Sequence, residues 1–432
     1  MKVLLIALAS LHVTLQEPSV AALVQSVEPG SELTIFLMTM GPGDAVWEKF
    51  GHNAIWVHDA SRGTDVAYNY GMFSFDEPGY LGRFLRGDMQ YWMQPFSGPG
   101  SAVAYHDANR SVLLQELALT PAQRVGLRDF LEWNAREENK FYAYDYYRDN
   151  CSTRVRDAID QAVGGALQRA LSAQPTGTTY RDHSLRLTAS AAATYTGLLL
   201  GLGPTVDKPI SAWEEGFIPM KLSEHIRTVR VPGPNGVLVP LIRSEQMLFE
   251  ASREPEALSP PNRTLAYLAV GLLLSFVFVI LASLSSRLAG TAFLTLAVGW
   301  CLVIGLFGSV LAALWAFTNH TVAYRNENLF QVNPLPLVLA VLLPMTGRSL
   351  RLAQAAILVA LAIAAISLLG FVLQPLPGLD QVNGGIIALT LPVHLALLAG
   401  LLIRFGRTAS SSKDAPPARK RSIGKAPAPK PA

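Results

Sequence analysis

Cysteine is scarce in this chain of 432 residues, in which only Cys151 and Cys301 occur. Two cysteines exclude a disulfide-rich scaffold and any zinc or iron–sulfur centre built from several cysteines. The histidines never occur with the His-x-x-x-His or His-x-Glu spacing that is typical of zinc sites. We therefore expect neither a metal site nor a cofactor.

Charge is scarce as well. Only 16% of the residues are charged, whereas a typical soluble domain has roughly 25%. Half of the residues are hydrophobic, which argues against a wholly soluble enzyme and excludes disorder over most of the chain. The basic excess lies in a tail rich in Pro, Ala and Lys after Arg404, so nothing indicates a nucleic-acid partner.

The N-terminus has the pattern of an export signal. Met1-Lys2 is followed by an apolar run, Val3–Val13, and by small residues up to Ala22. This pattern predicts a signal peptide over residues 1–22. An uncleaved membrane anchor is the alternative, and either one exports the segment that follows.

The C-terminal part is dominated by apolar stretches: Thr264–Ser286, Leu288–Phe317, Leu335–Met345, Leu352–Leu373 and Ile386–Ile403. A membrane-spanning helix needs about 20 apolar residues, so the third stretch is short. It must take in Leu329–Val332 or be re-entrant.

Arginine positions predict the orientation of these spans. Arg287 lies between the first and second stretches, and Arg348 and Arg351 lie between the third and fourth. Basic connections favour the cytoplasmic side, so the N-terminal part should lie on the outer side of the membrane. The predicted domains are a signal peptide (1–22), an exported domain (24–260), a membrane domain (264–405) and a disordered basic cytoplasmic tail (406–432).

Short alternating runs in the first half of the exported part predict strands, and the two segments that follow predict helices. The expected strands are Leu33–Met38, Asn53–His58, Asp65–Tyr70, Ala102–His106 and Ser111–Glu116, the second and third forming a hairpin. Thr120-Pro121 should open one helix, and Asp149-Asn150 a second that ends at Gly164-Gly165.

Cys151 is the first candidate for chemistry. It follows Asp149-Asn150 and should therefore lie in the first turn of a helix, where free amides and the helix dipole stabilise a thiolate and lower the thiol pKa. A small buried core cysteine is the alternative. Cys301 lies inside an apolar span, where a structural role is expected.

A nucleophilic cysteine needs a base, and His52 stands among small residues at the start of a predicted strand. Asn69 on the partner strand has a side-chain oxygen that can accept from the imidazole N–H. A hydrogen-bonded structural histidine and a strand-end asparagine are the alternatives. His58 and His106 are expected in turns or on the surface.

The order of these residues resembles the circularly permuted papain-like (NlpC-type) fold, and the lecithin–retinol acyltransferase family shares it. Longer strings are more specific: Phe50-Gly51-His52-Asn53, Tyr68-Asn69-Tyr70-Gly71-Met72-Phe73-Ser74-Phe75, Asp149-Asn150-Cys151-Ser152-Thr153-Arg154 and, in the connection 318–334, His320, Asn326, Asn328 and Leu329 before Asn333-Pro334. These strings resemble the Lnb-type family of bacterial lipoprotein N-acyltransferases. The basic tail and the last two stretches lie outside the resemblance.

The resemblance implies an α+β fold class: a permuted papain-like exported domain followed by an all-α membrane domain of about five transmembrane helices. It also implies a bacterial inner membrane, with residues 24–260 as the catalytic domain in the periplasm. Cys151 would be the nucleophile, His52 the base and Asn69 the residue that orients it. The implied reaction moves an acyl chain from a phospholipid, through a thioester, to the α-amine of the lipidated N-terminal cysteine of diacylated lipoproteins. Substrate binding is expected from Glu48, Tyr70, Asn150, Arg154, His320 and Asn328.

Two other functions remain open on the sequence. One is a membrane-anchored cysteine hydrolase, either a phospholipase or a peptidoglycan amidase, in which water replaces the amine. The other is a non-catalytic receptor or transporter. Within the apolar stretches only His394 is ionisable, and an ion or proton relay needs more such groups.

Overall fold

The computed structural model describes residues 28–233 and 236–413, without the side chains of residues 407–413. The predicted signal peptide and residues 414–432 of the predicted tail lie outside the described residues.

Most strands belong to one antiparallel sheet in the order β11-β5-β1-β2-β3-β4-β6, and the others form two small ribbons, β7-β8 and β9-β10. Their bounds are β1 Leu33–Met40, β2 His52–Asp59, β3 Thr64–Met72, β4 Gln90–Ser97, β5 Val112–Leu117, β6 Phe141–Ala143, β7 Pro175–Thr179, β8 Pro209–Ser211, β9 Arg230–Pro232, β10 Leu238–Pro240 and β11 Ile242–Phe249.

Helices cover the sheet and build the C-terminal part. Those of the N-terminal domain are α1 Tyr80–Arg86, α2 Gly98–Asp107, α3 Pro121–Asn134, α4 Cys151–Ala162, α5 Ala166–Leu171, α6 Tyr180–Leu187, α7 Ala192–Gly201, α8 Ala212–Glu215 and α9 Pro219–Ile226. Those of the C-terminal domain are α10 Thr264–Ser283, α11 Arg287–Phe317, α12 Leu335–Leu342, α13 Leu350–Val372 and α14 Gly384–Lys413.

The predicted hairpin is present. β2 and β3 pair antiparallel, with Trp56 opposite Ala67 and Asp59 opposite Thr64. Because side chains alternate along a strand, one sheet face packs Ile55 and its neighbours against α3 and α4, while the other packs Trp56 against α2.

The two ends of the sheet differ in what they carry. Met40, His52 and Val112 lie together at one end, which we call the site end. The opposite end carries the turn after Asp59 and the start of β11 at Ile242.

The strand expected over Ala102–His106 is wrong, because this segment lies inside α2. The Ser97 hydroxyl accepts from the Gly100 N–H and caps the helix, and Pro99 occupies its first turn. Caps of this kind set a helix start regardless of the alternation that follows. The expected start of α3 is correct, since Thr120 caps it and forms a reciprocal pair with Gln123.

Five segments in the described chain are long and apolar enough to cross a membrane: Thr264–Ser283, Arg287–Phe317, Glu327–Met345, Leu350–Val372 and Gly384–Gly406. The third begins at Glu327 and so takes in Leu329–Val332, one of the two alternatives that its short apolar stretch required. The architecture is thus an α+β domain followed by a helical membrane domain. The last helix continues to Lys413, so the tail predicted as disordered from residue 406 begins as helix.

Candidate active site

Cys151 is the first residue of α4 and is partly exposed. Asn150 precedes it as the helix cap, and its side-chain oxygen accepts from the N–H groups of Ser152 and Thr153, both at 2.9 Å. Thr153 accepts in return from the Asn150 N–H at 2.7 Å. The predicted position of Cys151 in a first helical turn is therefore what the structure shows.

The amide nitrogen of the Asn150 side chain is also fully hydrogen-bonded. Its amide nitrogen donates to the carbonyl oxygens of Tyr146 and Phe217, both at 3.0 Å. With the oxygen and the nitrogen both engaged, Asn150 holds the start of α4 and offers no free polar atom to a substrate. The structure thus shows a structural role for Asn150, and its expected role in substrate binding stays a prediction.

His52 and Asn69 face each other across the hairpin. The Asn69 amide nitrogen donates to the Ala67 carbonyl at 2.9 Å, so the Asn69 oxygen is the atom that faces the imidazole. This oxygen accepts from His52 Nε2 at 3.1 Å. The contact fixes the tautomer with the proton on Nε2 and leaves Nδ1 free to accept a proton.

Two contacts bring the cysteine helix to the strand that carries the histidine. The Ser152 hydroxyl donates to the Asn53 side-chain oxygen at 2.8 Å, which joins the residue after Cys151 to the residue after His52. The backbone N–H of Asn53 also donates to the Cys151 sulfur.

Gly71 marks the closest approach of β3 to the cysteine. A side-chain carbon at Gly71 would lie 3.1 Å from Cys151 Cβ, and its φ of +86° is one that other residues rarely adopt. The backbone of Gly71 therefore packs directly against Cys151, and a larger residue at position 71 would displace the cysteine.

Arg110 is a site residue that the sequence did not reveal. It is buried between α2 and β5, and its Nε donates to the Gly41 carbonyl at 2.8 Å. Its guanidinium lies 3.4 Å from the Glu48 carboxylate and 4.6 Å from the centre of the Tyr105 ring. Tyr105 in turn stacks on His52, with ring centres 6.3 Å apart. Glu48, expected to bind substrate, is thus tied to the site through Arg110.

Burial sets the charge state of the pair. Burial raises the pKa of the Cys151 thiol to about 11, although the backbone N–H groups of Asn53, Ser152 and Cys151 and the charge of Arg110 oppose the rise. Burial, followed by the charge of Arg110, lowers the pKa of His52 to about 4, although the hydrogen bond that His52 donates to Asn69 opposes the fall. The lowered thiol pKa expected from the helix dipole is therefore wrong, because desolvation is the larger effect. Both groups are neutral at pH 7.

Tyr70 and Arg154 lie apart from this pair, in a hollow of about 280 Å³ that Cys151 and His52 do not line. Tyr70 is only 1% exposed, and its hydroxyl donates to Asn134 at 2.7 Å in the domain core. Arg154 forms an ion pair with Asp149 and covers the ring of Tyr142. Tyr70 and Glu48 are both expected to bind substrate, but the Tyr70 side chain points away from the face of β3 that carries Asn69.

The connection 318–334 packs on the periplasmic domain. His320 donates from Nε2 to the Phe84 carbonyl at 2.8 Å and stacks on Tyr146. Asn328 is fully buried and donates to the carbonyls of Leu199 and Leu200 at the end of α7. His320 lies at the rim of the domain, whereas Asn328 fastens the domain to the membrane part.

The two histidines that the sequence assigned to turns or the surface have carboxylate partners there. His58 pairs with Asp65 at 2.9 Å and His106 with Asp107 at 3.0 Å. Over the described residues, no group of three or more His, Cys, Asp or Glu side chains is placed to hold a metal ion.

Comparison with known proteins gives two matches. Residues 25–185 match the family model described as the Lnb N-terminal periplasmic domain, and residues 263–403 match the Lnb transmembrane domain. The second match takes in the last two apolar stretches, so the expectation that they lie outside the resemblance is wrong. No curated protein and no solved structure matches the chain. The two descriptions and the five apolar segments agree with the predicted topology: an inner-membrane protein with its N-terminal domain in the periplasm.

Proposed function

The chain belongs to the Lnb family, and from this premise we propose that it is a cysteine-dependent lipoprotein N-acyltransferase. The donor is a phospholipid of the membrane, and the acceptor is the α-amine of the lipidated N-terminal cysteine of a diacylated bacterial lipoprotein. The observation that carries the proposal is the placement of Cys151 at the start of a helix whose next residue is hydrogen-bonded to the residue after His52, a histidine whose tautomer Asn69 fixes. A nucleophile, a base and an orienting group are the parts that acyl transfer through a covalent intermediate requires.

In the first half-reaction the Cys151 sulfur attacks the ester carbonyl of the phospholipid, and the thiol proton passes to His52 Nδ1. The C–S bond forms and the C–O bond of the ester breaks. The lysophospholipid oxygen takes the proton back from His52 as it leaves. The product is an acyl thioester on Cys151.

In the second half-reaction the lipoprotein amine attacks the thioester carbonyl and His52 takes a proton from the amine nitrogen. The C–N bond forms, the C–S bond breaks, and the Cys151 sulfur leaves with the proton from His52. The enzyme returns to its starting state, and the lipoprotein carries a third acyl chain as an amide. Each half-reaction therefore uses the same base in both directions.

The resting pair is neutral, so the proposed mechanism starts from a thiol and an imidazole and not from an ion pair. With the pKa of Cys151 at about 11 and that of His52 at about 4, the thiol and the imidazole are both neutral before the donor binds. Proton transfer must then accompany attack. The backbone N–H groups of Asn53, Ser152 and Cys151, which act on the sulfur, would stabilise negative charge on the sulfur as its proton leaves.

The test is a reconstituted transfer assay. The full-length chain in phospholipid vesicles receives a synthetic diacylated lipopeptide, and mass spectrometry follows the peptide N-terminus. We expect the mass of one added acyl chain as an amide, and none with Cys151→Ser. Release of free fatty acid without peptide acylation would reject transfer and favour a cysteine hydrolase.

A further inference from the structure

A short segment next to the active site exposes a group of large apolar side chains. Residues 73–87, which we call the interfacial segment, connect β3 to β4 and contain α1, none of whose residues is buried. Phe75 is 61% exposed, Leu81 66% and Leu85 59%. Leu81 and Leu85 are four residues apart and so lie on the same side of the helix. A soluble domain rarely leaves such a group in water without a partner.

The interfacial segment is fastened to the periplasmic end of a membrane span. The Asn319 N–H donates to the Arg86 carbonyl, and the Asn319 side chain donates to Asp88, both at 2.6 Å. His320 donates to the Phe84 carbonyl at 2.8 Å. Because α11 ends at Phe317, these contacts hold α1 at the level where the chain leaves the membrane.

Gly87 makes this approach possible. With φ at +78°, a side-chain carbon there would lie 2.8 Å from the Asn319 and His320 backbone. The contact between α1 and the end of α11 is therefore a close backbone contact and not a loose surface association.

Aromatic rings run from the interfacial segment back to the candidate site. Phe73 stacks on Tyr80, with ring centres 6.3 Å apart, and on Tyr91, at 5.1 Å. Tyr91 stacks on Tyr144, with ring centres 4.2 Å apart. Tyr144 is near enough to Cys151 for the charge of a thiolate there to raise the pKa of Tyr144. Phe73 also follows Gly71, the residue against Cys151, by only two positions. The apolar surface and the thiol thus belong to one continuous part of the domain.

The charges of the segment fit a shallow position at a membrane surface. Arg83 pairs with Glu77, and Arg86 lies 3.4 Å from Asp88. Asp76 is exposed. Charged groups on the same segment as Phe75, Leu81 and Leu85 suit the headgroup region, with the apolar side chains reaching the top of the acyl chains.

We propose that the interfacial segment inserts Phe75, Leu81 and Leu85 among the acyl chains of the periplasmic leaflet, and that the donor chain leaves the bilayer at this point toward Cys151. We expect lipid to cover the exposed face, because the interfacial segment is hydrogen-bonded to the residues that directly follow the periplasmic end of α11. The insertion stands on the geometry alone, whereas the delivery of the donor chain rests on the proposed function.

Insertion is tested by depth-dependent fluorescence on the full-length chain with Cys151→Ser and Cys301→Ala, which needs no activity. One chain carries Leu81→Cys, and the matched control carries Val237→Cys. Val237 is 67% exposed and directly precedes β10, and the β9–β10 ribbon leads into β11 at the end of the sheet opposite the site end. Each is labelled with the fluorophore NBD and reconstituted into vesicles of phosphatidylethanolamine and phosphatidylglycerol.

We expect the label at position 81 to be quenched by lipids with a nitroxide on the acyl chain and protected from iodide in the water, with the reverse at position 237. Equal quenching by iodide at both positions would overturn the insertion. Protection from iodide without quenching by nitroxide lipids would also overturn it, because a protein partner or a second copy would then cover the face.

Delivery is tested with Leu81→Ser/Leu85→Ser in an otherwise unaltered chain. We expect thioester formation from vesicle phospholipid to slow about ten-fold or more, while the rate with dihexanoyl phosphatidylcholine below its micelle concentration is unchanged. Val237→Ser should change neither rate. An equal loss with both lipids would overturn delivery. Absence of a thioester in the unaltered chain would reject the proposed function, and the fluorescence result would still decide insertion.

Discussion

The hydroxyl of Ser152 donates to the side-chain oxygen of Asn53 at 2.8 Å and also contacts the Gly216 carbonyl at 2.7 Å. Ser152 directly follows Cys151 in sequence and Asn53 directly follows His52, the pair proposed to be catalytic. This hydrogen bond therefore sets the position of the Cys151 helix relative to the His52 strand. Both side chains are fully buried. Water therefore cannot replace the bond if it is lost.

We expect Ser152→Ala to lower the free energy of unfolding by about 1–3 kcal/mol, because it leaves buried acceptors without a donor. It should also lower the rate of Cys151 acylation per folded molecule, because misplacement of reacting groups is costly. The matched control is Ser184→Ala, whose hydroxyl is equally buried and contacts Tyr147 and the Tyr180 carbonyl, both at 2.8 Å. Thermal unfolding and acylation rates should show similar instability in both variants but slow acylation only in Ser152→Ala. Equal acylation rates would reject a positioning role.

Arg110 is expected to shape the pH profile. Its positive charge lowers the pKa of His52, which is about 4 in the structure, after the larger effect of burial. The rate should therefore fall only as the pH drops toward 4, where His52 gains a proton and can no longer act as a base. In Arg110→Met the His52 pKa rises, so this acidic limb should move to higher pH. Arg110→Lys, which retains the charge, should keep the limb near its original position. An unshifted limb in Arg110→Met would contradict the electrostatic role.

Asn69 is expected to act through the orientation of His52. Asn69→Ala removes the acceptor of the Nε2 proton, so the imidazole is free to rotate and to change tautomer. We expect kcat to fall by about 10–100-fold, on the scale of other residues that orient a functional histidine, with little change in KM. Asn69→Asp keeps an acceptor and adds a negative charge, so it should restore part of kcat and move the acidic limb to higher pH. A fall in kcat with no recovery in Asn69→Asp would point to a role in folding alone.

Local signals in the sequence sufficed for much of this architecture. The β2–β3 hairpin follows from alternation, and α3 and α4 follow from the caps Thr120 and Asn150. The helix α2 was missed because its start depends on Ser97 and Pro99, outside the alternating run that suggested a strand.

The features that the sequence did not reveal depend on contacts between distant residues. Arg110 meets Glu48 and Tyr105 only in the folded domain, and no local motif marks it. The sequence also does not show which face of the sheet the Tyr70 side chain occupies. Asn69 and Gly71 face the site, and because side chains alternate along β3, Tyr70 points toward Asn134. The pKa of the Cys151 thiol cannot be predicted from the sequence for a similar reason. The helix start that lowers this pKa is visible in the sequence, whereas the burial that raises it further is not.

A covalent acyl intermediate on Cys151 is the central claim, and the most direct test is the intact mass of the purified chain. The protein is incubated with phospholipid but without lipoprotein, quenched in acid and weighed. We predict a gain of one acyl chain that hydroxylamine removes, that Cys151→Ala lacks and that Cys301→Ala retains, because Cys301 is buried in a membrane span. No adduct in the unaltered chain while lipoprotein is still acylated, or an adduct that persists in Cys151→Ala, would contradict the mechanism.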